Sequence, residues 1–205
     1  MNENKESAEE RMKQYNKQNS GKYAPLLGTL ELALFLPAAP SRFPPDAVLA
    51  IKSILIPAGL LFLWMYPLYV VPTDVMGERG YFELVFFHLS VLVIHLVLFL
   101  IILWKILIYL KKSEFFWLLI TMNNFSSLIG FAVCAPMLIM VVKGIHSWDD
   151  VVFLLIAVSV YEFAIISYCY ARALTIPWQL AVGIGFIFMF ARDISWSILA
   201  KLFGI

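Results

Sequence analysis

The chain has 205 residues, 62% of them hydrophobic and only 14% charged, with a mean hydropathy of +0.86 and a formal net charge of +1. Soluble domains use roughly 45 to 50% apolar residues, so this composition excludes an ordinary soluble fold and leaves room for one membrane domain. The near-neutral balance gives no whole-protein field that would draw nucleic acid or an anionic partner, and Cys134 and Cys169 both fall in apolar blocks, where small-residue packing is expected rather than a disulfide.

Residues 1–24 are polar, rich in Glu, Lys, Asn and Gln, and lack the apolar stretch of a cleavable signal peptide. They read as a solvated cytosolic tail, with at most a short helix around Glu6 to Tyr15. Residues 25–52 follow as a separate unit. Its apolar run from Leu26 to Leu36 is too short to cross a bilayer, and Pro25, Pro37, Pro40, Pro44 and Pro45 bound it. The expectation is a short helix at the cytoplasmic interface and an extended Pro-rich connection, after which Asp46 marks a helix start, an acidic group in its first turn and an apolar run following.

Five apolar blocks then occupy residues 53–205, near 53–71, 84–104, 115–142, 151–170 and 176–196. Each reaches the roughly 20 residues a helix needs to span about 30 Å of hydrocarbon. The predicted fold class is therefore all-α, a polytopic bundle of five transmembrane helices. Pro57, Pro67 and Pro136 should kink their helices. The fifth block is interrupted by Arg192 and Asp193, which leaves two forms open: one long span with Arg192 snorkelling outward, or a span ending near Phe190 with the remainder lying on the outer surface.

Basic residues set the orientation. Lys5, Arg11, Lys13, Lys17, Lys22, Arg42, Lys52, Lys105, Lys111, Lys112 and Arg172 fall on one side, against Arg79, Lys143, Arg192 and Lys201 on the other. By the positive-inside rule this predicts a cytoplasmic N-terminus and an external C-terminus in a bacterial inner (plasma) membrane.

Polar groups within hydrocarbon are costly and mark candidate sites. His88 and His95 lie in the second block, Asn123, Asn124, Ser126 and Ser127 in the third, Glu162 in the fourth, and the Arg192 and Asp193 pair in the fifth. His88 and His95 are seven residues apart and so share one helix face, while His95 and Glu162 come to similar depth. A proton or cation path lined by these groups is geometrically consistent, as is the plainer alternative that they hydrogen-bond between helices. Neither a metal nor a cofactor is expected: two histidines on one face and one distant carboxylate make a poor zinc set. No nucleophile motif is present, so an enzyme is not expected, and the external Lys143, His146, Asp149 and Asp150 read as a solvated loop. Small residues Gly130, Ala132, Cys134 and Ala135 in the third block, and Ala181, Gly183 and Gly185 in the fifth, favour close helix approach.

The segments FLPAAPSRFPPDAVLA before the first span, MNNFSSLI in the third and YCYARALTIPWQLA joining the fourth and fifth resemble bacterial membrane proteins of the Yip superfamily, over about residues 32–203. Phe125 stands where similar proteins often carry Trp. The resemblance implies a five-span bundle with a cytosolic N-terminal segment and a non-enzymatic scaffold or partner-binding role in membrane organisation. Rab binding does not carry over, since the acidic and aromatic cytosolic motif is not evident in residues 1–30. The alternative expectation is a small proton- or ion-coupled transporter using Glu162 and His95. Partners consistent with these readings are the lipid bilayer, a protein bound through the cytosolic segment, and a second copy of the chain.

Overall fold

The computed structural model describes residues 24–71 and 80–203. The expected helix at Glu6 to Tyr15 lies outside them. All regular structure among the described residues is helical: α1 (Ala24–Ala33), α2 (Ala47–Ser53), α3 (Leu55–Val70), α4 (Tyr81–Tyr109), α5 (Phe116–Val142), α6 (Trp148–Leu174) and α7 (Trp178–Phe203), with 3-10 turns at Ala39–Arg42 and Ser113–Phe115. Five candidate spans emerge, over Ala47–Val70, Tyr81–Tyr109, Ser113–Val142, Trp148–Leu174 and Trp178–Leu202, which fits an integral, multi-pass membrane protein.

Local chemistry explains the boundaries. Asp46 caps α2, its Oδ1 accepting from the Leu49 amide at 2.6 Å. The chain breaks at Ile54 because Pro57, in the first turn of α3, has no N–H to donate to Ser53. Ser147 and Asp150 form a reciprocal capping box at the start of α6, and Thr175 closes that helix in the left-handed conformation, φ 48° and ψ 48°. The fifth span resolves in favour of one long helix. Twenty-six residues run without a break from Trp178 to Phe203, so Arg192 and Asp193 sit inside it rather than at its end.

The five spanning helices close a ring in which α3 touches α4, α4 touches α7, α7 touches α6, α6 touches α5, and α5 returns to α3. One end of the ring carries Lys105, Lys111, Lys112 and Arg172, hereafter the basic end. Of the five, α5 is the most buried, because α1, α2, α3 and α6 all pack on it. The outward surface is apolar, as lipid contact requires: Phe82, Phe86, Val97, Phe153, Val160 and Phe190 are all exposed.

The segment before the first span is built into this bundle. Leu32 and Phe43 are fully buried in the main core, and Phe43 meets Phe125 of α5 with ring centroids 5.9 Å apart. Gly28 is needed there, since a Cβ would come within 2.7 Å of the Arg42 Cβ and 2.8 Å of the Phe43 ring. Arg42 folds back onto Glu31, with Nη2 to Oε1 at 3.0 Å, and the hydrogen bond and charge of that carboxylate raise the guanidinium above its ordinary pKa range. At the tip of α1 the Tyr161 hydroxyl donates to the Ala33 carbonyl at 2.5 Å, and the Phe35 ring packs edge-on between Tyr161 and Tyr168.

Candidate functional site: a mid-bundle polar cavity

Three helices bring an ionisable or basic side chain to one depth. His95 and Glu162 lie fourteen residues into α4 and α6 counted from the end opposite the basic one, and Arg192 fourteen residues into α7 counted from the basic end, so each is about 21 Å along a helix of 26 to 29 residues and near its middle. All three border a cavity of about 130 Å³ together with Asn123, Ser159 and Phe188. Glu162 can reach it because Gly130 on α5 leaves room: a Cβ at that position would overlap the carboxyl. Gly185 of α7 likewise admits Phe163 and Ser167, with a Cβ there only 2.9 Å from the Phe163 ring. Gly183 meets nothing.

Two further cavities adjoin the first and share residues with it. Toward the end opposite the basic one lies a larger chamber of about 400 Å³, lined by Leu61, His88, His95, Arg192, Asp193 and Trp196. His95 and Arg192 border both chambers and so form the partition between them. Toward the basic end is a small cavity of about 10 Å³ that includes Asn123, Ser126, Ile166, Cys169 and Tyr170, with Asn123 and Ile166 shared with the middle chamber. The series tapers from a wide mouth to a space that holds at most about one water.

Polar atoms in this series are only partly satisfied by protein. Among the described residues His95 Nδ1 and the Tyr170 hydroxyl, both bordering the series, and the Ser167 hydroxyl beside Gly185 are buried without a hydrogen-bond partner. Among the described residues Arg192 makes a single ion pair, to Asp193 at 3.9 Å, and its side chain keeps 59% of its surface exposed. Glu162 has no ion pair among the described residues.

The sequence-predicted polar set therefore divides. His95, Asn123 and Glu162 converge on the middle chamber, and His88 and Ser126 border its neighbours. His88 is also tied down, with Nδ1 2.9 Å from the Leu84 carbonyl and its ring 5.2 Å from that of Trp196. Asn124 points elsewhere, donating to Ser53 Oγ at 2.9 Å, and Ser126 and Ser127 hydrogen-bond the carbonyls three residues back. Arg192, read from the sequence with Asp193 as a polar group within the fifth span but left out of the candidate set, joins it here: its side chain stays largely exposed, as snorkelling implies, and also borders both larger chambers. Its position near the middle of α7 was the available signal. Among the described residues no three His, Cys, Asp or Glu side chains converge as metal ligands.

No family model, curated protein or solved structure matches the chain. The Yip-type resemblance thus gains no support from them and meets no contradiction.

Proposed function

We propose that this protein is a small proton- or ion-coupled membrane carrier whose working site is the chamber formed by His95, Glu162 and Arg192. The observation that supports the reading is the sharing of walls along the three cavities: His95 and Arg192 between the wide chamber and the middle one, Asn123 and Ile166 between the middle one and the small cavity. Charged groups at mid-bilayer are costly and persist where they face an aqueous pathway or one another. Here a carboxyl that can bind a proton, an imidazole that can pass one and a guanidinium that can balance the charge line one space wide enough for several waters. In this reading the tight cavity at Tyr170 is the closed gate and the wide chamber at His88 the open side.

The test is flux in proteoliposomes carrying a trapped pH-sensitive dye. Wild-type protein should dissipate an imposed pH gradient faster than empty vesicles, and Glu162→Gln, which preserves shape and a hydrogen-bonding amide, should abolish that flux at unchanged protein abundance. Wild-type flux equal to that of empty vesicles, over a panel of inorganic ions and small organic acids, would sink the carrier reading.

A second reading is favoured by the other half of the polar set. Asn124, Ser126 and Ser127 are paired within the protein, as expected of a non-enzymatic scaffold whose buried polar groups only hold helices together. Such a scaffold, Yip-like in type, would engage its partner through the N-terminal segment, and removal of residues 1–23 would abolish partner capture while leaving the bundle intact. We further infer a bacterial inner-membrane location, with the N-terminus in the cytoplasm, from the distribution of basic residues.

A further inference from the structure

At the basic end, the turn from α6 into α7 lies beneath an open groove of about 490 Å³, lined by Tyr168, Ala171, Arg172, Thr175, Ile176 and Trp178. The exposed Arg172 guanidinium lies over the Tyr168 ring, 5.5 Å from its centroid. From the neighbouring turn Lys112 reaches across, its Nζ donating to Thr175 Oγ1 at 3.0 Å. Arg172 thus lines the groove, and the Lys112 ammonium stands at its edge, bonded to Thr175 of the lining. Neither has an ion-pair partner among the described residues, and no carboxylate lines the groove.

The depth of this groove matters as much as its charge. Arg172 is in the last turn of α6 and Trp178 opens α7, so the groove sits where both helices leave the apolar layer. That is the level of lipid phosphates, and Trp and Tyr favour it because one side of each ring is apolar and the other polar. A guanidinium binds phosphate oxygens in pairs, and an ammonium adds a point charge beside it. The remaining wall, made by Tyr168, Ile176 and Trp178, is apolar enough to cover a glycerol backbone and the start of an acyl chain.

We propose that this groove binds the headgroup of an anionic phospholipid, with Arg172 and Lys112 holding the phosphate. The site is independent of the polar chamber and of the transport reading. A lipid is favoured over free phosphate because the cations adjoin an apolar wall that free phosphate would leave unused.

The experiment is native mass spectrometry of the delipidated full-length protein, offered phosphatidylglycerol or phosphatidylcholine of the same acyl composition. Phosphatidylglycerol should be retained on the order of thirtyfold better, given roughly 1 kcal/mol for each of the two basic residues near a charged headgroup. The double variant Arg172→Ala, Lys112→Ala should fall to the phosphatidylcholine level, and Arg172→Lys should keep part of the preference. Equal retention of the two lipids by the wild-type protein overturns the proposal without recourse to any variant. So does an unchanged preference in a folded double variant. Displacement of phosphatidylglycerol by an equal concentration of inorganic phosphate would assign the site to free phosphate instead and overturn the lipid.

Discussion

The carboxyl of Glu162 fills the space that a methyl group on Gly130 would need. This one relationship sets both how closely α5 and α6 approach and how the carboxyl is aimed into the chamber. The glycine is thus a positioning residue, and its lack of a side chain matters more than its backbone freedom.

Gly130→Ala should destabilise the bundle by about 1–3 kcal/mol, the usual cost of overpacking, and should displace Glu162. Combining it with Glu162→Ala should recover much of that loss, because the overlap partner is gone, giving a coupling within about 0.5–3 kcal/mol. Denaturation of the four proteins in detergent measures the cycle. Strict additivity would mean that the two residues do not touch.

The bond from Asn124 to Ser53 is the buried tie between α5 and the first span, and its two halves should not be equal. Removing the serine hydroxyl leaves a buried amide unpaired, costing about 1–3 kcal/mol, whereas Asn124→Ala leaves Ser53 still bonded to the Ala50 carbonyl at 2.7 Å. Ser53→Ala should therefore unfold at lower denaturant than Asn124→Ala. The reverse order would contradict this account.

A reporter that is active only in the cytoplasm should be silent when fused after Ile205, because basic residues collect on the side of the N-terminus. Neutralising Lys105, Lys111 and Lys112 together should produce a mixed population. Full activity of the C-terminal fusion in the unmodified chain would invert the topology.

The tip of α1 gives a fourth test. Tyr161 lies thirteen residues from the end of α6, about 20 Å, so its bond to Ala33 draws that tip toward the middle of the bundle. A cysteine at Ala38, which is exposed, should react poorly with a charged, membrane-impermeant thiol reagent, and Tyr161→Phe should speed the reaction. Rapid labelling regardless of Tyr161 would return the segment to the membrane surface, where its short apolar run alone would put it.

The five spans were legible because hydrocarbon thickness imposes a length that composition reveals directly, and the Asp46 cap was legible because its chemistry is local. What the sequence concealed depends on ring closure. Nothing in the spacing of α7 says that it packs between α4 and α6, and without that neighbour relation Arg192 reads as a residue seeking the surface. The same holds for α1. Its leucines at 26, 27 and 30 are exposed, as on an interfacial helix, and the buried Gly28, Thr29 and Leu32 betray that its other face has a partner.

That partner is made late. Tyr161 follows Ala33 by 128 residues, so at roughly 5–20 residues per second the ribosome needs about 6–26 s between synthesising one and the other. Until that interval ends, the Tyr161 hydroxyl that will hold the tip of α1 does not yet exist. The earliest-made of the described helices must therefore wait at the membrane until the fourth span has been synthesised.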